Sequence, residues 1–89
     1  MRIALICKDK PGALVIRAEN RDAHLRYLKE TGVVETAGPF LNEAGEMCGS
    51  LLVLDVENLA AAREWAANDP YARAGLFADV FISEWKKVI

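Results

Sequence analysis

The chain has 89 residues, 53% of them hydrophobic, and a formal net charge of −2 with an isoelectric point near 5.3. This length indicates a single domain over residues 1–89. The composition lacks the basic footprint of a nucleic-acid-binding protein, and no Lys/Arg cluster indicates a membrane surface. No apolar run approaches the ~20 residues of a membrane span, and the apolar start after Arg2 is too short for a signal peptide. We therefore expect a cytoplasmic protein that binds neither nucleic acid nor membrane.

The chain contains two cysteines, Cys7 and Cys48, and one histidine, His24. Their spacing matches no zinc or iron–sulfur motif, so we expect no metal and two reduced, buried thiols. The glycines form neither a dinucleotide-binding nor a phosphate-binding loop pattern, and no nucleophile elbow surrounds Ser50 or Ser83. The sequence therefore supports neither a bound cofactor nor a serine-hydrolase triad.

The first part of the chain predicts a strand, a turn, a loop and a helix. Arg2–Lys8 is a predicted strand with apolar residues on both faces, and the Asp-Lys-Pro-Gly segment after it is a strong turn. Residues 13–20 are expected to form a loop, with or without a short extended piece. A helix is predicted over Arg21–Thr31, with Asn20 as its N-cap and Gly32 as its stop signal.

Three further strands are predicted from the apolar runs in the rest of the chain. They are Val33–Phe40, Met47–Val56 and Phe77–Trp85. The first of them is expected to be broken late by Gly38-Pro39, where proline removes a backbone donor. A hairpin loop over Asn42–Glu46, which contains a glycine, is expected to join it to the next strand.

A second helix is predicted over the Ala-rich segment Leu59–Asn68, with Asn58 as its N-cap. The Asp69-Pro70 dipeptide then starts a turn or an extra helical turn that ends near Gly75. This segment separates the second helix from the last strand.

The resulting order, β-α-β-β-α-β, is the ferredoxin-like pattern of an α+β protein. It predicts a four-stranded antiparallel sheet in the order 4-1-3-2, with both helices on one face. The first, third and fourth strands carry apolar residues on both faces, so a monomer would expose an apolar sheet face to water. We therefore expect a homodimer in which two sheet faces pack together.

This topology gathers the chemically unusual residues at one end of the sheet. His24 is expected about one turn into the first helix, and Asp69 just past the end of the second. An aspartate–histidine pair is the minimal general-base device, so we predict that the two side chains lie within hydrogen-bond reach. The same end is expected to collect the candidate substrate-binding residues Arg17, Gly38, Pro39, Ser50 and Tyr71.

Four segments resemble successive signatures of the YciI-like (YCII-related) family. They are Arg-Asp-Ala-His-Leu around His24, Ala-Gly-Pro at 37–39, Cys-Gly-Ser-Leu at 48–51 and Asn-Asp-Pro-Tyr-Ala-Arg-Ala-Gly-Leu at 68–76. With the closing strand, the resemblance covers essentially the whole chain. It implies a dimeric α+β barrel, which pairs two ferredoxin-like sheets, and an active site formed by His24 and Asp69. Most members of the family lack an established substrate.

Two functions from different classes fit these residues. The first is a cofactor-independent enzyme of isomerase or lyase type, in which Nε2 of His24 abstracts or shuttles a proton on a small, cyclic or quinone-like metabolite. Ser50 or Arg17 would then supply the polarising donor. The alternative is a non-catalytic dimer that binds a small molecule or serves as a stress or regulatory module. An open pocket with a free Nε2 favours the enzyme, whereas a histidine bonded within the core favours the binding module.

Each candidate residue also has a purely structural interpretation. His24 could be an ordinary, partly buried helix residue. Asp69 could be an N-cap before Pro70, and one of its oxygens could cap while the other holds the imidazole. Arg17 and Arg21 could be solvated surface charges, and Tyr71 could serve packing alone. Ser50 could simply satisfy backbone groups at the start of its strand.

Overall fold

The computed structural model describes residues 1–89 and consists of one four-stranded sheet and three helices. The elements are β1 (Arg2–Asp9), α1 (Leu14–Thr31), β2 (Val34–Leu41), β3 (Met47–Asp55), α2 (Leu59–Asn68), α3 (Pro70–Arg73) and β4 (Phe77–Glu84). The strand order is β2-β3-β1-β4, and every neighbouring pair is antiparallel. The structure thus confirms the predicted ferredoxin-like α+β arrangement.

The core lies between the sheet and the helices. In the register of β1 and β3, Ile3 lies opposite Leu54 and Leu5 opposite Leu52, and all four side chains are almost fully buried. Trp65 of α2 packs against them. Burying each such aliphatic side chain stabilises the fold by about 1.5–3 kcal/mol relative to leaving it exposed.

Helix α1 begins at Leu14, so the predicted loop over residues 13–20 is wrong. The residue before the helix, Ala13, makes no side-chain capping hydrogen bond, and the predicted cap Asn20 lies inside the helix, where its amide donates to the Ile16 carbonyl. The sequence does not predict the first turns of α1, because the buried residues of this helix, Arg17 and His24, are polar. A helix whose buried face is polar lacks the hydrophobic periodicity by which helices are predicted.

Strand β2 continues through Gly38 and Pro39 to Leu41, so the predicted break is also wrong. The strand lies at the edge of the sheet, where a missing backbone N–H can face away from the ladder. Proline is therefore compatible with this strand, and Pro39 lies opposite Ser50 in the register.

The second helix and its flanking turns follow the prediction. Asn58 Oδ1 accepts a hydrogen bond from the Ala61 N–H at 2.8 Å, as expected of an N-cap. Asp69 ends α2 and caps α3, and Gly75, with φ of 75°, ends that turn in the left-handed region where glycine is favoured.

The outer face of the sheet, which carries no helix, is largely apolar. Ile6 and Phe81 lie opposite each other in the register and are 43% and 56% exposed, and Trp85 beyond β4 is 43% exposed. No helix is long and apolar enough to cross a membrane. That a second copy of the chain covers this outer face remains a prediction.

Candidate functional site

His24 and Asp69 lie in direct contact. His24 Nδ1 is 2.7 Å from Asp69 Oδ1, and the two residues are only 6% and 2% exposed. His24 lies well inside α1, not one turn from its start as expected, because the helix begins earlier than predicted. The helix thus brings the imidazole over the end of α2, where Asp69 follows Asn68.

Asp69 is held by the backbone of α3 as well as by His24. Its Oδ1 also accepts the Tyr71 N–H at 2.9 Å, so the same oxygen caps the helix and contacts the imidazole. The expected division of these roles between the two carboxylate oxygens is therefore wrong. Pro70 at the first helical position has a fixed φ that suits this cap. The capping bond orients the carboxylate, and the carboxylate in turn orients the imidazole.

The contact with Asp69 determines which imidazole nitrogen is free. An ionised carboxylate can only accept a hydrogen bond, so Nδ1 of a neutral His24 carries the proton and Nε2 presents its lone pair. Nε2 makes no hydrogen bond to the protein, and no buried side-chain nitrogen lacks a partner. Nε2 is therefore accessible, and His24 lines a pocket.

Tyr71 packs flat against the imidazole. The two ring centroids are 3.9 Å apart with an interplanar angle of 12°, and the Arg17 guanidinium carbon lies 4.8 Å from the tyrosine centroid. Burial raises the pKa of Tyr71, although the positive charges of Arg17 and Arg21 oppose the shift. Tyr71 therefore keeps its proton at neutral pH and fixes the plane of the imidazole.

Arg17, which was expected in a loop, is a buried residue of α1 that ties three elements together. Its Nε and Nη2 donate to the two carboxylate oxygens of Asp9 at 2.9 and 3.0 Å. Nη2 also donates to the Gly49 carbonyl and to Ser50 Oγ, both at 2.9 Å. Burial alone would lower the pKa of Arg17, but the hydrogen bond and charge of Asp9 raise it, so the guanidinium stays charged.

Close packing of β3 against β1 supports this network. A side chain at Gly49 would collide with the Cys7 carbonyl oxygen, so only glycine fits there. Ser50, next to it, is 4% exposed and accepts the Arg17 hydrogen bond. Ser50 thus bonds a side chain rather than the neighbouring backbone, and the residue is part of the pocket lining.

These side chains surround a pocket of about 200 Å³ between α1 and the strands β2 and β3. Its lining includes His24 and all five candidate substrate-binding residues, Arg17, Gly38, Pro39, Ser50 and Tyr71. Asp69 lies behind His24. The sequence did not identify the rest of the lining, Arg21, Leu25, Leu28, Ala37, Met47 and Leu52. Arg17, Arg21, His24 and Leu28 follow one another at helical spacing. A helix predicted from Leu14 onward would therefore have placed most of the pocket residues of α1 on one face.

The cysteines lie outside this dyad. Cys7 is buried in the core, whereas Cys48 is only partly buried, so the expectation of a buried thiol is wrong for Cys48; neither cysteine forms a disulfide. Burial, with the nearby charges of Asp69 and Asp9, raises the pKa of Cys7 to about 12. No group of three or more His, Cys, Asp or Glu side chains is arranged to hold a metal ion.

Among solved structures, the protein is similar to 5-chloro-2-hydroxyhydroquinone dehydrochlorinase from Burkholderia phenoliruptrix in complex with 2,5-dihydroxybenzoquinone. The TM-score is 0.88 at 34% sequence identity, over 97% of this chain and 94% of the other. An antibiotic biosynthesis monooxygenase, with a TM-score of 0.60 at 12% identity over 99% of this chain and 98% of the other, shares the fold alone.

Two relatives match in sequence along nearly the whole chain. An uncharacterized protein of Haemophilus influenzae is 39% identical, and Protein YciI of Escherichia coli is 35% identical, each over 99% of both chains. Residues 1–86 match the YCII-related domain. With the fold and these relatives in agreement, the chain belongs to the YCII-related family.

Proposed function

We propose that this protein is a small-molecule enzyme in which His24 and Asp69 perform general acid–base catalysis on a single-ring, quinone-like or polyhydroxylated metabolite. The observation that carries the proposal is the buried 2.7 Å contact between His24 Nδ1 and Asp69 Oδ1, which leaves Nε2 free in a residue that lines the pocket. A base needs a defined tautomer and an accessible lone pair, and this arrangement supplies both. The 34% identical dehydrochlorinase supports a substrate of this class.

The proposed reaction is a proton transfer within the ring. Nε2 of His24 takes the proton of a ring hydroxyl, and the electron pair left on oxygen forms a carbonyl while a ring carbon receives the proton from the imidazolium. Where that carbon bears a leaving group such as chloride, Nε2 of the regenerated neutral His24 takes the proton of a second hydroxyl, and the electron pair left on that oxygen forms a second carbonyl and expels the anion, which leaves a quinone. The first step alone is an isomerisation, and both steps together are a lyase reaction. The cycle consumes no oxidant and uses no cofactor.

Asp69 and Ser50 have separate parts in this reaction. Asp69 holds Nδ1–H and stabilises the imidazolium that forms when Nε2 takes a proton. Ser50, whose Oγ accepts from Arg17, donates its hydroxyl hydrogen to the oxygen on which negative charge develops. Arg17 acts on this oxygen through Ser50, to which its Nη2 donates, while Asp9 holds the guanidinium in place.

The remaining candidate residues shape the pocket. The face of Tyr71 holds the imidazole in plane, and Gly38 and Pro39 form the opposite wall on β2. A volume of about 200 Å³ is below the ~300–1,000 Å³ of pockets for drug-sized ligands, so one six-membered ring is the expected size of substrate.

The functional unit is expected to be a homodimer formed through the outer face of the sheet. Ile6, Phe81 and Trp85 leave apolar surface exposed there, and a second copy would bury it. Sedimentation should give a species of twice the 9.8 kDa chain, and Phe81→Glu should dissociate it while Val88→Glu, on the C-terminal tail, should not. A lone 9.8 kDa species at micromolar concentration contradicts the dimer.

The test of the enzyme is turnover of chlorinated hydroxyhydroquinones by the wild type and by His24→Ala. Removal of the base should lower kcat by about 10²–10⁴-fold. Binding of 2,5-dihydroxybenzoquinone, measured by calorimetry, should change far less, because the other pocket residues remain. Thermal unfolding controls for loss of the fold, with His24→Gln as a second variant that retains a polar side chain.

The outcome also distinguishes the alternative function. Binding without turnover in the wild type, over a range of halogenated and non-halogenated ring substrates, would support the non-catalytic small-molecule-binding or regulatory module. Turnover that persists unchanged in both His24 variants would remove the general-base proposal.

A further inference from the structure

We propose that Arg21 is the specificity-determining residue of the pocket and selects ring compounds that carry a negative charge. The inference rests on the proposed function of the pocket and specifies the charge of its substrate. The proposal rests on the observation that Arg21 lines the pocket without a carboxylate partner. The other ionisable side chains of the lining that could be positively charged, Arg17 and His24, are each bonded to an aspartate.

Of the basic side chains that line the pocket, only Arg21 has no acidic partner. Arg17 is neutralised by the two oxygens of Asp9, and His24 is bonded to Asp69. Arg21 forms no hydrogen bond and no salt bridge with any residue, and the pocket lining contains no Asp or Glu. Arg21 is therefore the positive charge in this lining that has no acidic partner, and its guanidinium donors are all available to an anionic ligand.

Helix geometry directs Arg21 to the same wall as the proposed base. Arg17, Arg21 and His24 are spaced by four and three residues, which places them along one stripe of α1. The charge of Arg21 is also felt at the buried Tyr71, where it opposes the raised pKa of the hydroxyl. Its guanidinium is thus within electrostatic reach of the interior of the pocket, although the residue is exposed.

The rest of the lining indicates what the anion must be attached to. Leu25, Leu28 and Met47 contribute apolar surface, which suits the faces and edge of a ring. A phenolate, enolate or carboxylate oxygen on such a ring could then bond Arg21 while the ring contacts these side chains. The guanidinium also offsets repulsion between a negatively charged substrate and Asp69 behind the imidazole.

The test compares an anionic and a neutral ligand of similar shape. 4-Nitrophenol, at a pH where it is ionised, and 4-nitroanisole are titrated into the protein by calorimetry, and 2,5-dihydroxybenzoquinone is titrated in parallel. Arg21→Gln should weaken binding of the two acidic ligands about 3- to 10-fold and leave 4-nitroanisole unchanged, as expected for one partly solvated charge. Added salt should weaken binding of the acidic ligands in the wild type more than in the variant.

The matched control is Arg26→Gln, an equal change of charge on the same helix at an exposed residue outside this pocket. It should leave all three affinities unchanged. Equal weakening of charged and neutral ligands by Arg21→Gln, or no effect on the acidic ligands, overturns the charge selection while the proposed acid–base function stands. Failure of all three ligands to bind the wild type overturns both.

Discussion

The layer between the sheet and the helices has two halves built on opposite principles. At one end Ile3, Leu54 and Trp65 form an apolar core, whereas at the other Arg17, His24 and Asp69 are buried just as deeply. The change occurs along two strands: Leu5 lies opposite Leu52, and one step further on the same face Cys7 lies opposite Ser50.

The side chains of the polar half tolerate burial because their polar groups have hydrogen-bond partners. No buried side-chain nitrogen or oxygen lacks a hydrogen-bond partner. An unpaired polar group in this position would cost about 1–3 kcal/mol, and an unpaired charge more. The apolar half therefore stabilises the fold, and the polar half fixes the orientation of its side chains while contributing little net stability. Four substitutions test this division, in order of decreasing expected effect.

Asp69→Asn should separate the charge of the carboxylate from its shape in the polar half. An amide oxygen in the place of Oδ1 can still accept from the Tyr71 N–H and from His24 Nδ1–H, but it carries no negative charge. The imidazolium that forms when Nε2 takes a proton is then no longer stabilised, so kcat/KM should fall by about 10²–10⁴-fold, roughly 2.7–5.5 kcal/mol. Steady-state kinetics measure the loss, with thermal unfolding as the control. An Asn variant with wild-type activity would contradict the role of Asp69.

Arg17→Met should destabilise the protein more than its loss of contacts suggests. It leaves the nearly buried carboxylate of Asp9 without its partner, and breaking a buried pair costs about 3–5 kcal/mol. Replacing both members, Arg17→Met with Asp9→Leu, should recover much of that loss, because no charge remains buried. Urea unfolding of both variants measures the difference. A double variant as unstable as the single one would argue that the ion pair itself stabilises the fold.

Leu54→Ala tests the apolar half. Leu54 is fully buried, so removing most of its side chain should lower the free energy of unfolding by about 2–5 kcal/mol. Calorimetric or urea unfolding measures it, with Val88→Ala on the exposed tail as the matched control. Activity below the melting transition should stay close to wild type, since Leu54 is not part of the pocket lining. A loss of activity without a loss of stability would show that the halves are not independent.

Cys7, at the boundary between the halves, should make stability depend on alkaline pH. Its pKa is raised in the folded protein from 9.0 to about 12, so the unfolded state loses the thiol proton first. This part of the stability is present below about pH 9 and falls by about 1.4 kcal/mol per pH unit as the pH rises towards about 12. Urea unfolding against pH should show a shallower decline in Cys7→Ala than in the wild type. Parallel declines would contradict the burial of the thiol.

The state of both thiols can be checked in the same samples. Titration of the unfolded, unreduced protein should find two free thiols per chain, Cys7 and Cys48. A protein with no titratable thiol would contradict the expectation that both cysteines are reduced.

Local signals in the sequence determined the strand and helix order. Asn58 before an Ala-rich segment predicts a capped helix, and the capping bond is present. The Asp69-Pro70 dipeptide predicts a helical start for the same reason, and this placed Asp69 at the end of the sheet where His24 was expected. These signals act between residues a few positions apart, so they can be read without knowledge of the fold.

The extent of α1 and the burial of Arg17 were decided only by the tertiary structure. The first turns of α1 carry no hydrophobic stripe and no side-chain cap, so nothing local indicates a helix there. Arg17 is held by Asp9 from β1 and by Ser50 from β3. Burial of a charge depends on partners that the fold brings together, and Ser50 lies 33 residues away in the chain. The sequence could therefore identify the dyad, whereas only the folded chain distinguishes the neutralised Arg17 from the free Arg21.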